Sequence, residues 1–378
     1  MPASNPQPRD PRRVLVRGVN WLGDAVMTLP ALMRLRERFP GAVISILTHS
    51  KLEDLWRGQA VVDQVITFSK DDSILKVAGR LREQSFDVAL ILPSSPRSAL
   101  ETWLARIPER VGYARSGRNW FLTQTVHSRP GRVQMKKRAP GEIRELIKAP
   151  PKPAPVPETA HQIHEYLHLV AALGAKPVSV APSLRVSAEE IAGARAALID
   201  EWLKNLGIGD SQHPAVLLGL NPGAEYGPAK RWPGENFAAA AREIGRRIPN
   251  CCWLTFGGPG DATTCAEIER LANSRVLNLA GKTNLRQLMA LLKSCSVVLT
   301  NDSGPMHLAA ALGTPVVVPF GSTSPELTGP GLPGEGRHAV LRTGAPCSPC
   351  FLRTCPIDFR CMTGISVNSV VDAVLDHV

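Results

Sequence analysis

Short runs of β-branched and other apolar residues alternate along the chain with stretches whose apolar positions recur every three to four residues, the pattern of parallel βα units. In the first half, residues 13–17, 42–47, 64–68 and 86–92 read as strands, and 24–38 as a helix ended by Pro40. Periodicity fades from Val111 to Pro157, where basic residues and a proline-rich run at 149–157 predict a stiff, exposed excursion. Helical spacing returns over 159–173, closed by Gly174. It returns again from Ser187, where Ser187-x-x-Glu190 is a capping box and Gly207 a C-cap. A second alternating series has strands at 215–220, 251–256, 275–279, 296–300 and 314–320, with helices at 235–247, 262–272, 284–293 and 305–312.

Two doubly wound halves joined near 175–186 account for this pattern better than one sheet. The expected organisation is α/β: a polar tail at 1–12, an N-terminal Rossmann-like domain at 13–180 carrying the excursion at about 106–157, and a C-terminal Rossmann-like domain at 181–378. Ligands of such sheets bind beyond the carboxyl ends of the strands, so the expected site is the cleft between the halves.

With 378 residues, 44% apolar and 20% charged, the chain can bury a large core. No apolar run is long enough for a membrane helix and the N-terminus lacks a signal-peptide core, so a cytoplasmic location is expected. The net charge of +11 is concentrated: residues 106–152 hold twelve Lys or Arg against three Glu. Such a field suits a polyanion, whether nucleic acid, anionic lipid or a phosphorylated glycolipid. Nucleic acid is disfavoured, because only Tyr113, Trp120 and Phe121 could stack bases there and no reader motif is present. Adjacent Cys251 and Cys252 open an apparently buried strand and suit reduced core thiols. Cys347, Cys350, Cys355 and Cys361 form a denser cluster than the two separated pairs of ordinary zinc sites; reduced structural cysteines are favoured, a zinc site being the alternative.

Three segments sit where a strand gives way to a helix. In the first, Gly18 and Gly23 permit close backbone approach and Asp24 projects from a helix N-terminus, where capping is the bland explanation. The second, Asn-Pro-Gly-Ala-Glu-Tyr-Gly-Pro-Ala-Lys-Arg-Trp-Pro at 221–233, delivers Lys230 and Arg231 from a loop suited to holding phosphate oxygens, although it is not a P-loop. The third, Asn-Asp-Ser-Gly-Pro-Met-His at 301–307, offers an anion the free N–H groups of a helix beginning at Ser303 or Pro305. His307 falls one turn in, within donating reach of a phosphate, though a helix histidine is more often structural.

In this order, the three segments resemble the ADP-heptose:lipopolysaccharide heptosyltransferases of glycosyltransferase family 9, most closely the members that extend the first heptose of the inner core. The resemblance runs from about Val14 to the C-terminus and includes the late cysteines. It implies a GT-B fold, two Rossmann-like domains facing each other across a cleft, and inverting transfer from ADP-heptose to a lipid A–inner core acceptor, with no cofactor and no required metal. By resemblance Asp24 is the catalytic base. Lys230 neutralises the departing diphosphate, and Arg231, Asp302, Ser303, Gly304, Met306 and His307 complete the donor site. Asp302, being anionic, would bind heptose hydroxyls or fix the loop. Lys136, Lys137 and Arg138 would meet the acceptor's anionic membrane, placing the enzyme peripherally on the cytoplasmic face of the inner membrane. The alternatives are another GT-B nucleotide-sugar enzyme, such as a different heptosyltransferase or an epimerase, and, more remotely, a nucleic-acid-binding protein.

Overall fold

The computed structural model describes residues 10–149, 155–209, 214–332 and 334–378. Most of the expected tail at 1–12, and residues 150–154 of the proline-rich run, lie outside the described residues.

The first sheet comprises β1 (Arg13–Arg17), β2 (Val43–His49), β3 (Gln64–Phe68), β4 (Val88–Ile91), β5 (Glu109–Tyr113) and β6 (Gln124–Val126), in the order β3-β2-β1-β4-β5-β6. The second comprises β7 (Val216–Asn221), β8 (Cys251–Thr255), β9 (Val276–Asn278), β10 (Val297–Thr300), β11 (Val316–Pro319) and β12 (Ala339–Leu341), in the order β12-β11-β10-β7-β8-β9. Every pairing is parallel. The central strands, buried on both faces, are continuous apolar runs: Val14, Leu15 and Val16 in β1 and Val297, Val298 and Leu299 in β10 are all 0% exposed.

Strand order reverses between β1 and β4 in the first sheet and between β7 and β10 in the second. Such switch points open a crevice at the carboxyl ends of the strands, where ligands of doubly wound sheets bind. In the second sheet Thr300 pairs with Asn221, so the segments beginning at Pro222 and Asn301 leave the sheet side by side. In the first, Arg17 pairs with Ile91 just before the loop that leads into the helix carrying Asp24.

Three expectations change. The helix expected over 24–38 is two helices, Leu22–Met27 and Leu29–Arg38, meeting at Thr28, whose hydroxyl donates to the Ala25 carbonyl at 2.6 Å. Pro30 in the first turn of the second helix has no N–H to continue the first. Regular structure also persists where periodicity fades: β5, β6 and the helix Pro140–Lys148 lie in that stretch. Finally, the contacts group the described residues up to Arg132 with Gln162–Val180, and Val133–His161 with Ala181–Val378. The basic stretch is thereby divided between the units. Val133–His161 belongs to the second because Ile143, 1% exposed, packs into its core and the Arg138 N–H donates to the Cys350 carbonyl at 3.0 Å. In the first unit the helix Ile163–Ala171 packs against Leu29–Arg38.

Candidate active site

In the first unit, the loop after β1 is drawn against the sheet. The Gly18 N–H donates to the Leu47 carbonyl at 2.9 Å, and a Cβ there would come within 3.3 Å of that oxygen. Arg17, at the end of β1, is buried. Its Nε donates to Glu101 at 2.9 Å, its Nη1 donates to the Gly18 carbonyl at 2.7 Å, and its guanidinium lies 4.3 Å from the centre of the Phe68 ring. A buried charge must be paired and hydrogen-bonded, and this one ties the start of the loop, through the Gly18 carbonyl, to Glu101. Asp24 lies in the first turn of the helix Leu22–Met27, whose N-cap is Trp21, so Asp24 is not its capping residue. Its Oδ1 accepts from Gln162 Nε2 at 3.4 Å, and the same amide donates to the Tyr166 hydroxyl at 2.9 Å. Burial, reinforced by the charge of Asp24, holds the Tyr166 phenol well above its ordinary range, so it stays protonated.

In the second unit, Asn301 staples the two switch-point segments together. Its Oδ1 accepts the Trp232 N–H at 3.0 Å while its Nδ2 donates to the Pro222 carbonyl at 2.7 Å. Trp232 is itself buried, with its indole N–H donated to the Ile365 carbonyl at 3.1 Å. Lys230 and Arg231 are therefore presented immediately before a fixed anchor. Lys230 Nζ lies 2.5 Å from Asp302 Oδ2, an oxygen that also accepts the Thr323 hydroxyl at 2.5 Å. Lys230 and Asp302 side chains are 13% and 4% exposed. Arg231 donates to the Ala224 carbonyl at 3.2 Å and lies 3.9 Å from Asp261. Ser303 caps the helix Gly304–Ala311 through extended backbone, with no side-chain cap bond; its Oγ instead accepts from Asn221 Nδ2 at 3.1 Å. The first N–H groups of that helix remain available to an anion, and Pro305 in the first turn removes none that the helix needs.

A lysine, an arginine and a helix N-terminus at one switch point suit a phosphorylated ligand. The glycosyltransferase family 9 (heptosyltransferase) model matches residues 74–359. The chain belongs to this family. It is 30% identical over 345 residues to lipopolysaccharide heptosyltransferase 2 of Salmonella typhimurium, covering 88% of this chain and 89% of that one. The solved ADP-heptose lipopolysaccharide heptosyltransferase II of Escherichia coli matches with a TM-score of 0.72 and 27% identity, over 96% of this chain and 98% of that one. A family 9 glycosyltransferase from Veillonella parvula shares the fold, with a TM-score of 0.75 at 23% identity, over 97% and 96%. The chain is thus a GT-B-type heptosyl-transferring glycosyltransferase.

Within this family member, Lys230 and Asp302 are paired immediately before Ser303 and Gly304 at the start of the helix, and the Asp302 carboxylate is engaged by Lys230 and Thr323. His307 and Met306 do not line an open site: they are 6% and 0% exposed. Burial pulls the His307 pKa down to about 4, against the attraction of Asp302, so the imidazole is neutral at pH 7. Arg138 is half-buried, with its guanidinium near the Pro346 carbonyl and 3.8 Å from Glu142, whereas Lys136 and Lys137 are exposed.

All eight cysteines are unpaired. Burial pushes the Cys251 and Cys252 thiols up to about 11 and Cys361 to about 12, and raises Cys347 and Cys350. Among the described residues, no group of three or more His, Cys, Asp or Glu side chains is arranged to hold a metal ion.

Sequence reasoning missed Gln162, Tyr166 and Thr323. Gln162 and Thr323 touch motif residues only through the fold, Tyr166 reaches Asp24 through Gln162, and none carries a local signature.

Proposed function

We propose that the chain transfers heptose from ADP-heptose to the first heptose of the lipopolysaccharide inner core, with inversion. The observation that carries the donor assignment is the buried Lys230–Asp302 pair beside the uncapped N-terminus of Gly304–Ala311 at the β7/β10 switch point. The named activity of the 30% identical relative supports the acceptor assignment.

In this reading Lys230, Arg231 and the N–H groups at the start of the 304–311 helix hold the donor diphosphate. Asp302 keeps Lys230 aimed, and Thr323 keeps Asp302 aimed. The Asp24 carboxylate takes the proton of the acceptor hydroxyl as its oxygen bonds to the anomeric carbon. On the opposite face the bond from that carbon to the diphosphate breaks, and ADP leaves with the electron pair. Negative charge grows on the diphosphate as the bond breaks, so a cation fixed beforehand stabilises the transition state more than the ground state. Gln162 orients the base, and a protonated Tyr166 competes little for its proton.

No helix among the described residues is long and apolar enough to cross a membrane. Lys136 and Lys137 would draw the enzyme to the anionic cytoplasmic leaflet that holds the acceptor, each contributing ~1 kcal/mol near such a surface. ADP release from ADP-heptose with and without a mono-heptosylated inner-core acceptor tests this function. Release that depends on the acceptor supports transfer; equal release without it identifies a donor hydrolase.

A further inference from the structure

We propose that Arg353 is a further cation of the donor diphosphate site, mounted with Lys230 on the ring of Tyr226; this rests on the assignment of the diphosphate to Lys230. The Lys230 ammonium lies 5.0 Å from the centre of the Tyr226 ring, and the Arg353 guanidinium carbon 5.3 Å from the same centre. The ring is fixed at its far end, where the Tyr226 hydroxyl donates to the Phe351 carbonyl at 2.7 Å. Cation–π attraction then holds both positive groups to one aromatic plate.

Two further contacts lock the loop 226–230 to the Cys-rich segment. The Ala229 N–H donates to the Arg353 carbonyl at 3.0 Å. Gly227, at φ +150°, packs onto the same oxygen so closely that a Cβ would sit 2.5 Å from it. The position of Arg353 relative to Lys230 is thus set through backbone as well as through the ring.

The three cations differ in how far they are compensated. Lys230 faces the Asp302 carboxylate at 2.5 Å, and Arg231 lies 3.9 Å from Asp261. Arg353 is exposed and makes no ion pair with a described carboxylate. A diphosphate carries more than one negative charge, and a guanidinium presents paired donors that match two phosphate oxygens. Arg353 is therefore the group whose full charge is available to the ligand. The Cys-rich segment thereby acquires a function in the donor site. It carries Arg353 at the loop, while its Cys350 and Phe351 N–H groups donate to the Ser322 carbonyl, next to the Thr323 that holds Asp302.

The test is calorimetric titration of ADP into the full chain and into Arg353→Gln, Arg353→Lys and Lys230→Ala, at low and moderate salt, with thermal midpoints measured alongside. Arg353→Gln should weaken ADP about tenfold, the size of one charge-assisted hydrogen bond, and flatten the salt dependence. Arg353→Lys should recover part of the loss, and the midpoint should not move because the side chain is exposed. Wild-type ADP affinity in Arg353→Gln, with Lys230→Ala weakened, overturns the role of Arg353 alone. Wild-type affinity in both variants overturns the diphosphate assignment to Lys230 as well. Loss in Arg353→Gln that Arg353→Lys does not restore, accompanied by a lowered midpoint, shows a structural role and also overturns it.

Discussion

Lys230 and Asp302, 72 positions apart in sequence, form a buried ion pair at 2.5 Å, and Thr323 donates to the same carboxylate oxygen. Removing one member of a buried pair leaves the other charge stranded, at a cost of about 3–5 kcal/mol. Asp302→Asn should therefore lower the thermal midpoint, and saturating ADP should raise it by more than in the wild type, because the diphosphate then supplies the missing negative charge. Lys230→Ala should lose both ADP affinity and turnover. Equal ADP-induced shifts in Asp302→Asn and wild type would detach the pair from the donor site.

Asp24→Asn keeps the size of the side chain and its contact with Gln162 but cannot accept a proton. Asp24 does not cap its helix, so the fold loses little. Turnover should fall by about 10²–10⁴-fold, with the thermal midpoint and ADP affinity near wild type. Steady-state kinetics alongside calorimetry checks this, and turnover within a few fold of wild type removes the base assignment.

His307 links stability to pH. Its pKa is about 4 in the folded chain against an ordinary 6.5, so the unfolded chain binds the extra proton between these values. The neutral imidazole's contribution is fully present above about pH 6.5 and is lost as pH falls towards 4. Denaturant unfolding at pH 7.5 and pH 5 should show a loss of roughly 2 kcal/mol from this residue, a change that His307→Gln abolishes. His338, also lowered to about 4 by burial, should leave a residual slope in that variant.

Lys136 and Lys137 are exposed, and Arg138 is held by the Pro346 and Cys350 carbonyls. Replacing both lysines with Gln should reduce turnover on acceptor in anionic vesicles and spare a delipidated acceptor, with the difference shrinking as salt rises. Equal loss on both acceptors would place these lysines in sugar binding instead.

The sequence pattern reveals most of this fold because the buried parallel strands are uninterrupted apolar runs, as in β1, β4, β8 and β10. It fails at β5 and β6, where Glu109, Arg110, Gln124 and Thr125 occupy strand positions towards the edge of the sheet, and at Thr28, where a proline two residues on divides a continuous amphipathic stretch. The motif residues Asp24, Lys230 and Asp302 stand out because glycine and proline surround them at strand ends. Their partners do not. Gln162 is 138 positions from Asp24 and Thr323 is 21 from Asp302, and each reads locally as an ordinary polar residue. The burial of His307 is equally hidden, since it depends on what packs around its helix and not on the helix itself.

The most direct measurement is mass spectrometry of a mono-heptosylated inner-core acceptor after incubation with ADP-heptose and either the wild-type chain or Asp24→Asn. A gain of one heptose with the wild type, and almost none with Asp24→Asn over the same time, is expected. An acceptor of unchanged mass with the wild-type chain, while ADP-heptose is bound or consumed, would contradict transfer to the inner core.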